Sequence, residues 1–298
     1  MRFSPVMQIV GDFMTVLFYD QDGIPYDSDY LLKILHDIGA DDSETLFIHS
    51  DIAFGRPSAG FKRKDYLKAL YEAIIALNVE NIIVPTFTYS FCNHEDYDVL
   101  NSRTSMGAFS EFIRQQDGRY RTLDPLLSFS VPAALKHKFE NISNHSLGKG
   151  SGFDILHSMN NVKFLFFGAK QGECFTYLHY IEKMLDVPYR YDQEFTGKLI
   201  DYDGKSKTVT QAIHTHCYGV KIPNSYDYFE NELLERKLIK KVKLGNSMVS
   251  CIDKDIAYEQ ITEKINNNPY YFTNGQYTAE DLIHKYGFGE NGERVTHC

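Results

Sequence analysis

The sequence predicts a single large α/β domain with three layers, in which helices cover both faces of a central, mixed or largely parallel sheet. Three short segments are almost continuously apolar, as is typical of strands buried on both faces: 45–49, 81–85 and 162–167. Segments with apolar residues at helical spacing alternate with them, such as 28–38 and 64–77. Because no repeat or linker interrupts the chain, we expect one domain over residues 1–298.

The other elements follow from the same periodicities and from capping residues. Strands are predicted at 14–19, 45–49, 81–85, 128–131 and 162–167, and helices at 28–38, 64–77, 107–115, 153–159, 176–185, 253–266 and 278–286. Ser28 and Asp29 are expected to cap the first helix, because short polar side chains accept hydrogen bonds from the first turn. Gly39 is expected to end that helix, because glycine readily adopts the left-handed conformation found after a last turn.

A β-rich excursion is expected near residues 189–245, where the composition shifts toward Tyr, Asp and Lys. Asp203-Gly204 predicts a hairpin turn within it, between strands at 195–202 and 206–216. Residues 1–28 are expected to form an N-terminal extension.

Charge and cysteine content narrow the class of protein. The 298 residues include 31 Lys and Arg against 40 Asp and Glu, a net charge of −9. Because phosphate binding requires clustered basic residues, we expect no nucleic-acid partner, whereas a cationic substrate is compatible. No apolar run reaches about 18 residues and the stretch 12–20 is too short and acidic for a secretory signal, so no membrane partner is expected. Five widely spaced cysteines, an odd number, indicate reduced thiols in a cytoplasmic protein.

One histidine stands where α/β sheets commonly bind ligands. The apolar strand at 162–167 ends in a glycine-containing turn, and a helix begins near Thr176, with His179 in its first turn. Glu182 is three residues further on and shares that helix face. A carboxylate beside an imidazole fixes its tautomer and stabilises the imidazolium, which suits a general base. The alternative is a histidine that only satisfies backbone groups of the first turn, beside a solvated glutamate.

Several short motifs occur in a defined order along the chain. They are Leu46-Phe47-Ile48-His49-Ser50 followed by Gly55, Pro85-Thr86-Phe87-Thr88, Met106-Gly107 with Glu111, Ser128-Phe129, His145 before a glycine loop at 147–151, and Thr176-Tyr177-Leu178-His179-Tyr180-Ile181-Glu182. Together they resemble the aminoglycoside 3-N-acetyltransferase family over most of residues 29 to about 265. The resemblance implies an acetyl-CoA-dependent acyltransferase whose fold is unrelated to that of the common GNAT acetyltransferases.

The resemblance also implies roles for individual residues. His179 would be the general base that takes a proton from the acceptor amine as the amine attacks the thioester. Glu182 or Glu111 would orient His179 or bind the amine, and the resemblance does not decide between them. The residues expected on the acetyl-CoA side are Ser50, Gly55, Thr88, Ser128 and Phe129, and those expected on the acceptor side are Asp124, His145, His214 and His216. A purely structural role, as a capping residue at the end of its strand, is an equal alternative for Ser50.

One departure from the family concerns the acceptor. The family usually has His-Pro where this chain has Asp124-Pro125, which changes the charge near the expected substrates and leaves the general base intact. The resemblance implies an aminoglycoside or a related amino sugar as the acceptor. The Asp124 change and the altered region 189–245 favour the alternative, and both that region and residues 1–28 are expected to reshape the acceptor side. The alternative is a nucleotide-linked amino sugar of surface-polysaccharide or secondary-metabolite biosynthesis, with Tyr218, Tyr226 and Tyr228 as stacking candidates. A non-catalytic CoA-binding relative is a further alternative, and the oligomeric state stays open, a homodimer included.

Three other motifs suggest different chemistry. His214 and His216 alternate on a predicted strand and precede Cys217, which suggests zinc, but no Cys-x-x-Cys supplies further ligands, so no metal is expected. Cys174 near a helix start suggests a nucleophilic thiolate, although a plain turn residue is the preferred interpretation. The loop 148–152 lacks Gly-Lys-Ser/Thr, so a nucleoside-triphosphate site is not expected.

Overall fold

The computed structural model describes residues 16–287, 294 and 295. Its strands are β1 (Val16–Tyr19), β2 (Pro25–Asp27), β3 (Thr45–Ser50), β4 (Arg56–Pro57), β5 (Asn81–Pro85), β6 (Tyr97–Asp98), β7 (Arg119–Arg121), β8 (Phe129–Pro132), β9 (Val162–Phe167), β10 (Arg190–Ile200), β11 (Ser206–His216), β12 (Lys240–Leu244) and β13 (Ser247–Asp253). Its α-helices are α1 (Ser28–Asp37), α2 (Arg63–Ile75), α3 (Gly107–Arg114), α4 (Lys136–Phe139), α5 (Gly152–Ser158), α6 (Gln171–Cys174), α7 (Tyr177–Met184), α8 (Asp227–Glu235) and α9 (Lys254–Asn267).

A seven-stranded mixed sheet forms the centre, in the order β12-β13-β9-β3-β5-β8-β7. The three middle strands are parallel, with Thr45 opposite both Asn81 and Val162, and the outer strands run antiparallel to their neighbours. Ser50 lies opposite Phe167, so β3 and β9 end together at one edge of the sheet. The predicted α/β fold with a helix-flanked sheet is confirmed in its mixed form.

The apolar residues of the central strands alternate between two cores, one on each face of the sheet. Phe47 and Phe164 belong to the core that packs against α5, α7 and α9. Leu46 and Leu165, their chain neighbours, belong to the core that packs against α1, α2 and α3. Each fully buried side chain of this size contributes about 1.5–3 kcal/mol relative to an exposed one. Burial on both faces therefore explains why these strands are continuously apolar.

The region 189–245 contains a long hairpin followed by a helix and an edge strand. β10 and β11 pair antiparallel from Arg190 opposite His216 to Ile200 opposite Ser206. β10 therefore begins five residues before the predicted start of the strand at 195. β10 also pairs in parallel with β6. α8 follows the hairpin, and β12 then joins the edge of the central sheet. The hairpin thus begins immediately after α7, which places its first residues beside the carboxyl edge of the sheet.

Two local predictions were wrong. The cap of α1 is Asp27, whose carboxylate accepts a hydrogen bond from the Tyr30 N–H, while Ser28 is already helical. The segment 278–286 is a turn and a bridge rather than a helix, because the Asp281 carboxylate binds both the N–H and the hydroxyl of Thr278 and closes a tight turn. Within residues 16–287, no helix has the length and apolar character needed to cross a bilayer. The first two residues of the strand predicted at 14–19 lie outside the described residues.

Candidate active site

His179 lies near the start of α7, beyond the end of β9. The chain leaves the sheet at Gly168, forms α6, and turns so that the N–H of His179 donates to the Thr176 carbonyl at 2.9 Å. Gly168 has φ +78°, and a Cβ there would lie 1.9 Å from the Asp51 carbonyl oxygen, so this exit from the strand requires glycine. The His179 side chain is 18 % exposed and lines two adjoining cavities.

Glu182 forms a hydrogen bond with Nδ1 of His179. Its Oε2 lies 2.6 Å from Nδ1 of His179, and its side chain is fully buried. Tyr189 donates its hydroxyl to Oε1 at 2.5 Å, and Arg190 Nε lies 2.8 Å from Oε2. With both carboxylate oxygens engaged by fixed partners, the imidazole ring is held in one orientation and Nε2 is left for a ligand.

The charges around this pair favour a neutral imidazole. Burial alone would raise the pKa of Glu182, but Arg190 and His179 outweigh it and lower that pKa to about 2. Burial lowers the pKa of His179, and the Arg190 guanidinium lowers it further, against the opposing effect of Glu182. Near neutral pH the carboxylate is therefore charged and the imidazole is uncharged, the state in which Nε2 can accept a proton.

A second cluster is built around Asp192, two residues after Arg190 on β10. Its Oδ1 lies 3.0 Å from His145 Nε2 and 2.9 Å from His214 Nδ1, and its Oδ2 accepts from Lys183 Nζ at 2.6 Å. Burial opposes ionisation of Asp192, but the hydrogen bonds from Lys183 and the two histidines lower its pKa. Burial lowers the pKa of His214 to about 4, with Arg190 adding to the effect.

The residues predicted on the acceptor side therefore do not form one cluster. His145 and His214 meet on Asp192, whereas His216 lines the larger of the two cavities beside His179. Asp124 is buried and accepts hydrogen bonds from the N–H groups of Leu126 and Leu127 and from the Ser146 hydroxyl, at 2.8–2.9 Å. Burial raises the pKa of Asp124 despite these bonds. Asp124 thus ties two loops together.

Three cavities adjoin one another along the carboxyl edge of the sheet. A cavity of about 600 Å³ and a narrower one of about 150 Å³ share His179 and Tyr226 in their walls. The narrow cavity shares His49 and Cys174 with a third, of about 420 Å³. The three form a series with His179 between its two ends, as a reaction between two separately bound substrates requires.

The residues predicted for the acetyl-CoA side are spread over several places. Ser50 lines the 420 Å³ cavity, beside the first turn of α3. The other four residues do not line these cavities. Gly55 packs against the Tyr19 carbonyl, and Phe129 makes an edge-to-face contact with Phe47 in the core. Thr88 donates to the Pro125 carbonyl and Ser128 to the Thr86 carbonyl.

Glu111 does not share the environment of Glu182. Both of its oxygens accept hydrogen bonds from Arg114, at 2.7 and 2.8 Å, and Oε2 also accepts from the N–H of Thr104. Burial opposes ionisation, but Arg114 and Thr104 lower the pKa of Glu111. This carboxylate joins α3 to the preceding loop, and Glu182 is the one that contacts the imidazole.

The motifs that suggested other chemistry have ordinary surroundings. The thiol of Cys174 donates to the Lys170 carbonyl at 3.1 Å, and burial raises its pKa well above the usual value, so it remains protonated at neutral pH. Across residues 16–287, 294 and 295, no group of three or more His, Cys, Asp or Glu side chains is arranged to hold a metal ion. Cys298 lies outside the described residues.

Sequence reasoning missed three residues that complete the site, Tyr189 directly before β10 and Arg190 and Asp192 on it. Tyr189 and Arg190 bind Glu182, and Asp192 joins the histidines behind it. The local sequence carries no signal for them, because Arg190 is followed by mostly polar residues and its near-complete burial is seen only in the structure. A buried arginine requires an anionic partner, but Asp186 and Asp192 are both nearer to Arg190 in sequence than Glu182 is, so the sequence does not identify that partner.

The family profile described as aminoglycoside 3-N-acetyltransferase matches residues 62–265. The fold is similar to that of AAC(3)-Xa, at 17 % identity over 87 % of this chain and 94 % of the other, with a TM-score of 0.66. It is also similar to AAC-VIa bound to sisomicin (18 %, 82 % and 98 %, TM-score 0.68) and to AAC-IIIb with CoASH (18 %, 84 % and 98 %, TM-score 0.61). No curated protein sequence matches.

The matched region spans more than half of the chain and contains β5, β9, α7 and the start of β10. It therefore includes His179, Glu182 and Arg190 as well as every strand of the central sheet except β3. The similarity of fold covers more of the chain than this match does, 87 % of it for AAC(3)-Xa. The chain belongs to the aminoglycoside 3-N-acetyltransferase family and is an acyltransferase.

Proposed function

We propose that the protein transfers the acetyl group of acetyl-CoA to an amino group of an amino sugar, with His179 as the general base. The observation that carries the proposal is the 2.6 Å contact between His179 Nδ1 and the buried carboxylate of Glu182, at the junction of two cavities. A neutral imidazole held in this way presents Nε2 to the meeting point of donor and acceptor. Aminoglycosides and related amino sugars are the acceptor class.

In this proposal the protein positions two substrates and moves one proton from the acceptor nitrogen to the leaving sulfur in two steps. His179 Nε2 takes a proton from the acceptor nitrogen while the new nitrogen–carbon bond forms and the carbon–sulfur bond breaks. The imidazolium then returns that proton to the leaving thiolate, so the products are the amide and free CoA. Glu182 stabilises the imidazolium between the two steps and is charged throughout.

The cavities provide a suitable place for the donor. The 150 Å³ cavity has apolar walls from Phe87, Met106 and Phe175, which fit a slender acyl-pantetheine arm that must reach His179. The 420 Å³ cavity continues from it past Ser50 to the first turn of α3. N–H groups at a helix start favour anionic groups, which suits the phosphates of the donor. The donor and acceptor would thus approach His179 from opposite ends.

The proposal is tested by measuring thiol release from acetyl-CoA in the presence of a panel of amino sugars, together with the mass of the acceptor product. We expect release of CoA that depends on the acceptor, and a product that carries one added acetyl group on nitrogen. Release that is the same without any acceptor, or a panel in which no acceptor is acetylated, would overturn the proposal. Binding of CoA without turnover would instead support the non-catalytic relative.

A further inference from the structure

The cavity of about 600 Å³ beside His179, here called the acceptor cavity, has an unusual charge balance for a site that binds a polycation. Among the described residues of its wall, the ones with formal charges are Glu173, Arg190 and Lys221. Glu173 is the single carboxylate in that set, although the chain as a whole carries a net charge of −9. The acidity of the protein is therefore located mainly elsewhere.

Two of these three charges are already balanced by neighbours. Glu173 Oε1 accepts a hydrogen bond from Lys170 Nζ at 2.7 Å, outside the acceptor cavity. Arg190 pairs with the buried Glu182 at 2.8 Å. His216 adds no charge near neutral pH, because burial lowers its pKa below the ordinary value. The cation that remains for a ligand in the described wall is Lys221.

Lys221 has a fixed backbone although its side chain is exposed. Its N–H donates to the Tyr277 hydroxyl at 2.8 Å, and its carbonyl accepts from the Asn274 N–H at 2.7 Å. Tyr277 is itself bound through its carbonyl by the Tyr270 hydroxyl at 2.9 Å. These contacts hold the segment that follows β11 against the C-terminal part of the chain. Lys221 therefore lines the acceptor cavity on a backbone that is held in place.

An aminoglycoside carries several ammonium groups, and each one needs a carboxylate or another acceptor when it leaves water. Among the described residues of the wall there is no unpaired carboxylate to bind these ammonium groups, and the positive charge of Lys221 repels them. We propose that the acceptor is instead an amino sugar with one reactive amine and an anionic group, a phosphate or a carboxylate, that Lys221 binds while the amine faces His179. This inference rests on the proposed function and specifies its substrate class.

The test compares kcat/KM, by thiol release at low ionic strength, for acceptors that share a sugar amine. The acceptors are glucosamine, glucosamine 6-phosphate, a uridine-diphosphate-linked amino sugar, an amino uronic acid and sisomicin. We expect at least one anionic acceptor to exceed glucosamine by about tenfold, as a single close charge pair allows near a protein surface. Which anionic acceptor leads distinguishes a phosphate ester, a diphosphate and a carboxylate as the group that Lys221 binds.

Lys221→Glu supplies the second arm, with Lys64→Glu on the exposed first turn of α2 as a control for net charge. We expect Lys221→Glu to reduce the preference for the anionic acceptor to parity with glucosamine, and Lys64→Glu to leave it unchanged. If Lys221→Glu fails to fold, Lys221→Gln is measured in its place.

The outcomes separate this inference from the proposed function. A higher kcat/KM for sisomicin than for every anionic acceptor, or a preference that Lys221→Glu leaves intact, would overturn the inference while acetyl transfer stands. Thiol release that no acceptor stimulates would overturn the proposed function, and this inference with it.

Discussion

Arg190 contacts both members of the pair formed by His179 and Glu182. Its Nε lies 2.8 Å from Glu182 Oε2, and its Nη2 lies 2.9 Å from His179 Nδ1. One guanidinium thus balances the charge of the buried carboxylate and disfavours a second positive charge on the imidazole. The arrangement keeps His179 neutral in the free protein without removing the carboxylate that stabilises it once it is protonated.

Arg190 is predicted to set the pH at which the protein becomes active. A base works only when unprotonated, so kcat/KM should rise with pH through the pKa of His179. Arg190 adds to the effect of burial in lowering that pKa, so Arg190→Met should raise the pKa of His179 and move the rising limb to higher pH. The measurement is kcat/KM against pH, with Arg190→Lys as the variant that keeps the charge. A limb that stays in place, or moves to lower pH, would show that Arg190 does not act in this way.

Glu182, and not Glu111, is predicted to support the base. Glu182→Gln removes the charge that stabilises the imidazolium, so kcat should fall by at least about 100-fold. Glu111→Gln is the matched control, because Glu111 is also paired with an arginine and its partners are Arg114 and Thr104. We expect this control to lower the melting temperature and leave kcat near that of the wild type. Equal losses of kcat in the two variants would contradict the assignment.

The same carboxylate is predicted to contribute to stability in a defined pH range. Its pKa is about 2 in the folded protein against an ordinary 4.5, so the contribution is complete above pH 4.5 and is lost as the pH falls toward 2. The shift corresponds to about 3 kcal/mol. The measurement is the free energy of unfolding in urea at pH 6, 5, 4 and 3, for wild type and Glu182→Gln. The difference between the two should shrink as the pH falls, and a constant difference would argue against the shifted pKa.

Cys174 is predicted to be dispensable for the chemistry. Its thiol lines two of the cavities, but burial raises its pKa, so little nucleophilic thiolate is present at neutral pH. Cys174→Ala should retain most of kcat, and iodoacetamide should modify the thiol slowly at pH 8. An acyl-cysteine intermediate requires the opposite result, loss of activity in Cys174→Ala together with a covalent acetyl adduct on the wild-type protein.

The fold was predictable where local patterns and burial agree. The strands at 81–85 and 162–167 were predicted with their observed bounds, because residues buried on both faces form a continuous apolar run. The helix predicted at 278–286 fails because Asp281 and Thr278 satisfy each other in a turn, a contact that helical periodicity does not detect. Side chains that compete for backbone groups can override a weak apolar pattern.

The sequence predicted only those contacts of the site that join residues close together in the chain. His179 and Glu182 are three residues apart on one helix, so the sequence alone brings them together. The other contacts on α7 come from Tyr189, Arg190 and Asp192. They form because the beginning of the β10–β11 hairpin lies beside α7, which no local motif encodes. The wall of the acceptor cavity likewise depends on how the chain after β11 folds back, so the net charge of −9 did not predict it.

The role of His179 as the base is tested most directly by the kcat of His179→Gln with acetyl-CoA and an acceptor that the wild-type protein acetylates. His137→Gln on the exposed face of α4 serves as the matched control, and CoA binding to each variant shows that the donor site is intact. We predict that kcat falls by about 10²–10⁴-fold in His179→Gln, with CoA binding and the control unchanged. A kcat within about tenfold of the wild type, below the effect expected of a general base, would contradict the role of His179.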